Sequence, residues 1–237
     1  MPPFPRRGTI RKDDNRQIMK LGLVFSGGGV RALAHAGLLK ALEEKGLQPS
    51  IISGTSGGAL IGALYACGVK PEDMVHFFKE TPVFKWSMLT FKKVGLVDSA
   101  KYTKFFKKQF QCPTFEDLRL PLVVTATNLL NGKVQYFSKG ELIQPLIASS
   151  ALPPYFSPVR IGDSLYCDGG LLNNFPIEPL KDRCDRIIGS FVNPLETITE
   201  KELSNSFQFM QRIYNIMAII TASSKNVTTY YYITSAM

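Results

Sequence analysis

The sequence predicts an α/β protein, with a mostly parallel central sheet covered on both faces by helices as a three-layer sandwich. Three observations carry this expectation. Short apolar runs bounded by glycine alternate with longer runs of helical spacing. The first such set forms a strand, glycine turn, helix, strand unit, which implies parallel strands joined by a crossover. The 237 residues, 45% of them apolar, suffice for one sizeable core, and no internal repeat divides them. In a sheet of this kind the functional residues belong at the carboxyl ends of the strands.

Lys20-Leu-Gly-Leu-Val-Phe25 reads as the first buried strand. The turn Ser26-Gly27-Gly28-Gly29-Val30-Arg31 follows. Its three glycines let backbone N–H groups point into one concavity, suited to a phosphate or to the oxyanion of a tetrahedral intermediate. From Ala32 to Gly46 the spacing is helical, with Leu38, Leu39 and Leu42 on one face and Gly46 as the stop. Ile51-Ile52 is the second strand. Gly27-x-Gly29-x-x-Ala32 nearly matches the dinucleotide fingerprint, which also wants an acidic residue at the end of that second strand. Here the strand runs into Ser53-Gly54-Thr55-Ser56 without a carboxylate, so a nucleotide is the weaker reading. A phosphate-binding G-x-x-x-x-G-K-[ST] is absent as well.

Ser56 stands in Gly54-Thr55-Ser56-Gly57-Gly58, between that strand and a helical stretch from Gly58 to Cys67. A serine in G-x-S-x-G at a strand-to-helix junction is a nucleophile elbow. The sharp turn presents the hydroxyl at a helix N-terminus, where backbone N–H groups can hold an oxyanion. An ordinary small-residue loop has the same letters, so the weight rests on the remaining chain. There are only two histidines, His35 in the first helix and His76 in the helix-like Pro71–Phe78 stretch. No histidine follows the serine in the place a Ser–acid–His order requires. A carboxylate base is the alternative, and Asp168 stands out. It leaves the second of two short strands, Pro158–Ile161 and Ser164–Cys167, joined by a Gly162-Asp163 turn, and it precedes Gly169-Gly170. An ordinary turn aspartate is the plain reading. A carboxylate of ordinary pKa, about 3.9, becomes a useful base only if burial raises it and it touches the hydroxyl directly.

Gly-Gly-Gly-x-Arg, then Gly-Thr-Ser-Gly-Gly, then Asp-Gly-Gly, in this order, resembles the patatin-like phospholipases. The resemblance implies a patatin-like fold and a Ser/Asp dyad, with Ser56 as nucleophile and Asp168 as its base. It implies Gly27, Gly28 and Gly29 as the oxyanion loop, and Arg31 matches the arginine that follows that loop. Ala148–Phe156, Asn173-Asn174, Pro176 and Asn193-Pro194 are further matches, over roughly residues 19 to 195. Two departures stand out. Ala32 replaces the glycine that usually ends the first motif, and Val227–Met237 matches nothing in the family.

The rest of the chain completes the layers. Leu120–Thr127 is a strong strand, paired through Asn131-Gly132 with Val134–Ser138. Arg186–Val192 is the late strand, and Gln208–Ile220 looks helical. The net charge is +9 and unevenly spread: residues 1–20 carry six basic and two acidic side chains, and residues 79–108 carry eight lysines against Glu80 and Asp98. Phe84, Trp86, Phe91, Tyr102, Phe105 and Phe106 are interleaved with those lysines. Asp98 or Ser99 caps a helix there, with the lysines around its aromatic face. The segment suits a lipid-facing cap on an anionic membrane, and equally an amphipathic helix packed on the core. No nucleic-acid motif accompanies the charge.

Four cysteines without paired spacing point to a reduced, cytoplasmic setting, peripheral at a membrane surface. No secretory leader is visible, and no apolar run approaches about 20 residues. The expected organisation is a basic extension over residues 1–18 and an acyl hydrolase domain over 19–237, atypical after about 195. The expected function is a lipid acyl hydrolase acting on carboxylic esters, without metal or cofactor. Its site is Ser56 and Asp168, with an oxyanion hole of Gly27, Gly28, Gly29 and Gly57 and with Arg31 toward the substrate. Alternatives are a non-lipid serine esterase or thioesterase, and a catalytically silent membrane- or nucleotide-binding module.

Overall fold

The computed structural model describes residues 19–80, 99–223 and 230–231. The basic extension, the cap residues Phe84, Trp86, Phe91 and Asp98, and most of Val227–Met237 lie outside the described residues. Eight strands form one sheet: β1 (Leu21–Phe25), β2 (Ile51–Thr55), β3 (Leu122–Asn128), β4 (Lys133–Phe137), β5 (Val159–Ile161), β6 (Ser164–Asp168), β7 (Arg186–Ser190) and β8 (Tyr230–Tyr231). The helices are α1 (Leu33–Glu44), α2 (Gly57–Ala66), α3 (Met74–Glu80), α4 (Ser99–Gln109), α5 (Ile143–Ser149) and α6 (Ser206–Ser223).

The centre of the sheet, β7-β1-β2-β3, is parallel, because α1 and the long connection after α2 carry the chain back over one face. β3 then pairs antiparallel with both β4 and β6. The registers decide which edge each partner takes. Val124 and Thr125 pair with both β2 and β4, and Ala126 to Asn128 pair with both β4 and β6. A strand has two edges, so β4 fills one, and β2 and β6 share the other end to end. The carboxyl end of β2 therefore faces the carboxyl end of β6: Thr55 lies opposite Thr125, and Asp168 lies opposite the next residue, Ala126.

Alternation along the strands sorts the core. Leu21, Leu23 and Phe25 of β1, Ile52 of β2, and Leu122, Val124 and Ala126 of β3 pack under the helices. Val24, Ile51 and Val123 face the other way, onto Phe175, Ile177, Leu180 and Phe191. That second face is covered mainly by the irregular chain after Asp168, with one short helical turn at Glu178–Leu180, and Ile219 of α6 packs on it. Where the 79–108 segment is described, Phe105 and Phe106 pack on the core, in line with the second of its two expected readings. Phe106 of α4 is fully buried in the main core and meets Phe77 edge-on at 5.9 Å and Phe110 stacked at 5.8 Å. Lys104, Lys107 and Lys108 form its exposed rim.

Candidate active site

Ser56 joins β2 to α2 with φ 52° and ψ −126°, and it is the one non-glycine residue of positive φ among the described residues. Strain of this kind costs on the order of 1–3 kcal/mol and persists only where surrounding contacts enforce it. Two contacts do so here. A Cβ on Gly58 would lie 2.5 Å from the Ser26 carbonyl oxygen and 2.7 Å from that of Phe25, so only glycine lets α2 start against the end of β1. The Ser56 N–H donates to the Ser149 hydroxyl at 2.8 Å, and that hydroxyl donates to the Thr125 carbonyl at 2.6 Å. α5 thus anchors the elbow to β3.

Asp168, buried, receives a hydrogen bond from the Gly170 N–H at 2.7 Å, and the Ser56 hydroxyl beside it also favours its charged form. Burial raises its carboxyl pKa from the ordinary value to about 6, against the opposing pull of those two donors. The group remains ionised at neutral pH yet holds a proton more tightly than an exposed aspartate.

The glycine turn lies directly beside Ser56. Gly27 is held on both sides: its N–H donates to the Asn174 carbonyl at 3.2 Å, and its carbonyl accepts from the Asn193 side chain at 2.7 Å. The Gly27 amide is thereby committed within the protein. Gly28, Gly29 and Gly57 line the cavity in front of Ser56 at the starts of two helical turns, where amides lack an intrahelical partner. Arg31 also lines the cavity, and its guanidinium donates to Asn215 of α6 at 3.4 Å. Partial burial lowers its pKa, an effect opposed by the charge of Glu196.

Neither histidine reaches Ser56 by a recorded hydrogen bond. His35 is enclosed in the core, its Nε2 donating to the Ser26 carbonyl at 2.9 Å and its Nδ1 accepting from the Ser190 hydroxyl at 2.8 Å. Burial lowers its pKa to about 4, so it stays neutral and braces the strand end from which the glycine turn departs. His76 is exposed on α3.

Ser56 and Asp168 open into a cavity of about 450 Å³, walled by Leu60, Phe106, Leu152 and Phe156 and covered by one face of α6. Gln211, Tyr214, Asn215 and Ala218 form that face, at helical spacing. The Tyr214 hydroxyl donates to the Pro153 carbonyl at 2.6 Å, and burial pushes its pKa up to about 12. The sequence motifs carry Ser56, Asp168, the glycines and Arg31 into one place. They do not assign roles to Ser149, Asn174, Asn193 or the polar face of α6. A lone asparagine straight after the apolar Phe191-Val192, itself followed by proline, is the trace Asn193 leaves in the sequence.

The fold and the site define a class: parallel α/β proteins built around a serine elbow. The chain matches the family model of the patatin-like phospholipases over residues 23–181 and belongs to that family. It is 30% identical over 229 residues to "Lysophospholipase nte1" of Aspergillus fumigatus, a match covering 90% of this chain and 15% of that protein. With the Candida glabrata "Lysophospholipase NTE1" it shares 30% over 205 residues, 82% of this chain and 12% of the other. The chain spans about 15% of the length of the curated relatives it matches most fully. Among solved structures, VipD from Legionella pneumophila superposes with TM-score 0.57 at 16% identity, over 91% of this chain and 61% of that one, a likeness of fold.

Proposed function

We propose that the chain is a lipid acyl hydrolase and that residues 19–237 form its domain. The observation that carries the reading is that Ser56 and the buried Asp168, whose carboxyl pKa burial raises to about 6, line one largely apolar cavity. Ser56 Oγ attacks the ester carbonyl carbon as Asp168 takes its proton. The oxyanion that forms is held by the amides of Gly28, Gly29 and Gly57. Asp168 returns the proton to the departing alcohol oxygen, leaving an acyl-serine. Water then repeats the sequence: its oxygen bonds to the acyl carbon as Asp168 accepts its proton, Asp168 returns that proton to Oγ as the acyl carbon–Oγ bond breaks, and a carboxylic acid leaves.

The apolar walls suit a fatty acyl chain. Arg31, half-buried beside the oxyanion amides, suits the phosphate of a headgroup. The relatives' names bring lysophospholipids forward as the substrate class, and with them a site of action at a membrane surface. The test is a panel of phospholipids, lysophospholipids, acylglycerols, thioesters and soluble esters, with fluorophosphonate labelling, run on wild type and Ser56→Ala. Labelling and lipid turnover by wild type and neither by Ser56→Ala is the expected result. Full labelling of Ser56→Ala, or wild-type turnover of thioesters and soluble esters alone, overturns the reading.

A further inference from the structure

α6 is amphipathic in the reverse sense. The face it turns inward carries Gln211, Tyr214 and Asn215 toward the cavity. At 3.6 residues per turn, Phe209, Ile213, Ile216 and Ile220 fall on the opposite side. Phe209 is 52% exposed, Ile216 37% and Ile220 64%, with Ile213 partly buried between them. Single exposed aliphatics are ordinary; these lie in one line along the helix. Between Ser206 and Ser223 there is no carboxylate, and Arg212 is the one charged side chain.

We propose that this outer face of α6 docks on a lipid bilayer, with Phe209, Ile216 and Ile220 entering the boundary between headgroups and acyl chains. The size of the stripe argues for a bilayer over a second protein. Eleven residues of rise give a strip about 17 Å long and about 10 Å wide. That is a small fraction of the ~800 Å² per partner of a standard protein interface. Shallow, reversible insertion helped by charge needs no more. The chain as a whole carries +9, the sign an anionic bilayer attracts. The position fits as well: the docked helix is the cavity's cover, and Val30, 42% exposed, lines the same cavity. The inference rests on the lipid hydrolase reading for the source of the substrate, whereas its test reads binding.

The experiment is flotation with vesicles of phosphatidylcholine containing one-third phosphatidylserine. It compares wild type with the combined variant Phe209→Gln, Ile216→Gln, Ile220→Gln. Binding should fall by about tenfold or more in the variant, while hydrolysis of p-nitrophenyl butyrate holds at the wild-type level. A second protein, Ile220→Trp in a Trp86→Phe background, should show a blue-shifted emission on vesicles and quenching by brominated acyl chains. Unchanged flotation of the combined variant, absence of wild-type flotation, or an unshifted emission from the introduced indole overturns the proposal. So does a wild-type dimer that the combined variant dissolves without loss of flotation. Ser56→Ala should float like wild type. A wild type that floats but hydrolyses no ester removes the hydrolase reading and leaves the docking surface standing.

Discussion

Asp168 is where chemistry and stability pull apart. Its folded pKa, about 6, lies above its ordinary value. Between those pH values the folded state binds more protons than the unfolded one, so stability falls as pH rises through the window and the loss is complete above it. The penalty at neutral pH is on the order of 3 kcal/mol, from about two pKa units at 1.36 kcal/mol each. Asp168→Asn removes that penalty and the base together. Its Tm at pH 8 should exceed that of wild type, while turnover drops ~10²–10⁴-fold, and calorimetry with a kinetic assay checks both. His35 acts in the opposite direction. Its folded pKa, about 4, lies below the ordinary 6.5, so it contributes stability that is lost as pH falls from about 6.5 through 4. Turnover should fall as pH drops through about 6, the pH at which Asp168 takes up its proton, and kcat/KM measured from pH 4.5 to 8 tests this. A midpoint near 4 would mean that the base is another, ordinary carboxylate.

Among the elements, α5 has a larger part than its length suggests. Among the described residues its Ser149 hydroxyl is the only partner of the Ser56 N–H, so Ser149→Ala leaves a strained residue without that bond. The expected cost is about 1–3 kcal/mol in urea unfolding. Turnover should fall toward the ~10²-fold loss that an ångström of misplacement can cause, through kcat more than KM. Equal kcat in the variant would leave the α2–β1 contact at Gly58 as sufficient support. The sequence reading finds β1, β2, β3 and β7 because each is a continuous apolar run. It passes over α5, a seven-residue helix with Pro145 in its first turn, where a proline sacrifices no helical hydrogen bond. It also expects helices over the second face, where Asn173 to Leu180 carries two prolines and has no period to read. Ser56 and Asp168 are legible because each sits among glycines at a strand end. Asn193 is not, because its partner Gly27 is 166 residues away and only the folded sheet brings them together. Gln208–Ile220 is legible as a helix, but apolar residues on its outer side hide which face meets the cavity.

For the molecule as a whole, the cavity is closed by two helices distant in sequence, α4 through Phe106 and α6 through Ala218. Enlarging a side chain on α6 should therefore shorten the acyl chain accepted and leave the serine untouched. Ala218→Phe should keep activity on acetate and butyrate esters and lose about tenfold or more on palmitate, consistent with the 1–3 kcal/mol cost of overfilling a packed space. A p-nitrophenyl ester series from two to sixteen carbons measures it, and an unchanged chain-length profile would place the acyl chain elsewhere. Among the described residues no helix is long and apolar enough to cross a membrane.

The shared edge of β3 has one more consequence, for what this architecture can absorb as it changes. Thr55, the residue before Ser56, and Asp168 are spaced by a single step along β3, from Thr125 to Ala126. The exposed loop at Ser138-Lys139, between β4 and α5, can lengthen, since nothing in it sets that step. One residue inserted between Thr125 and Ala126 would push the two strand ends apart by about 3.3 Å and turn the following side chains to the opposite face. A long insertion at Lys139 should thus be survivable where one extra residue in β3 is not. The strand serves as a gauge block for a pair of residues it does not itself contain.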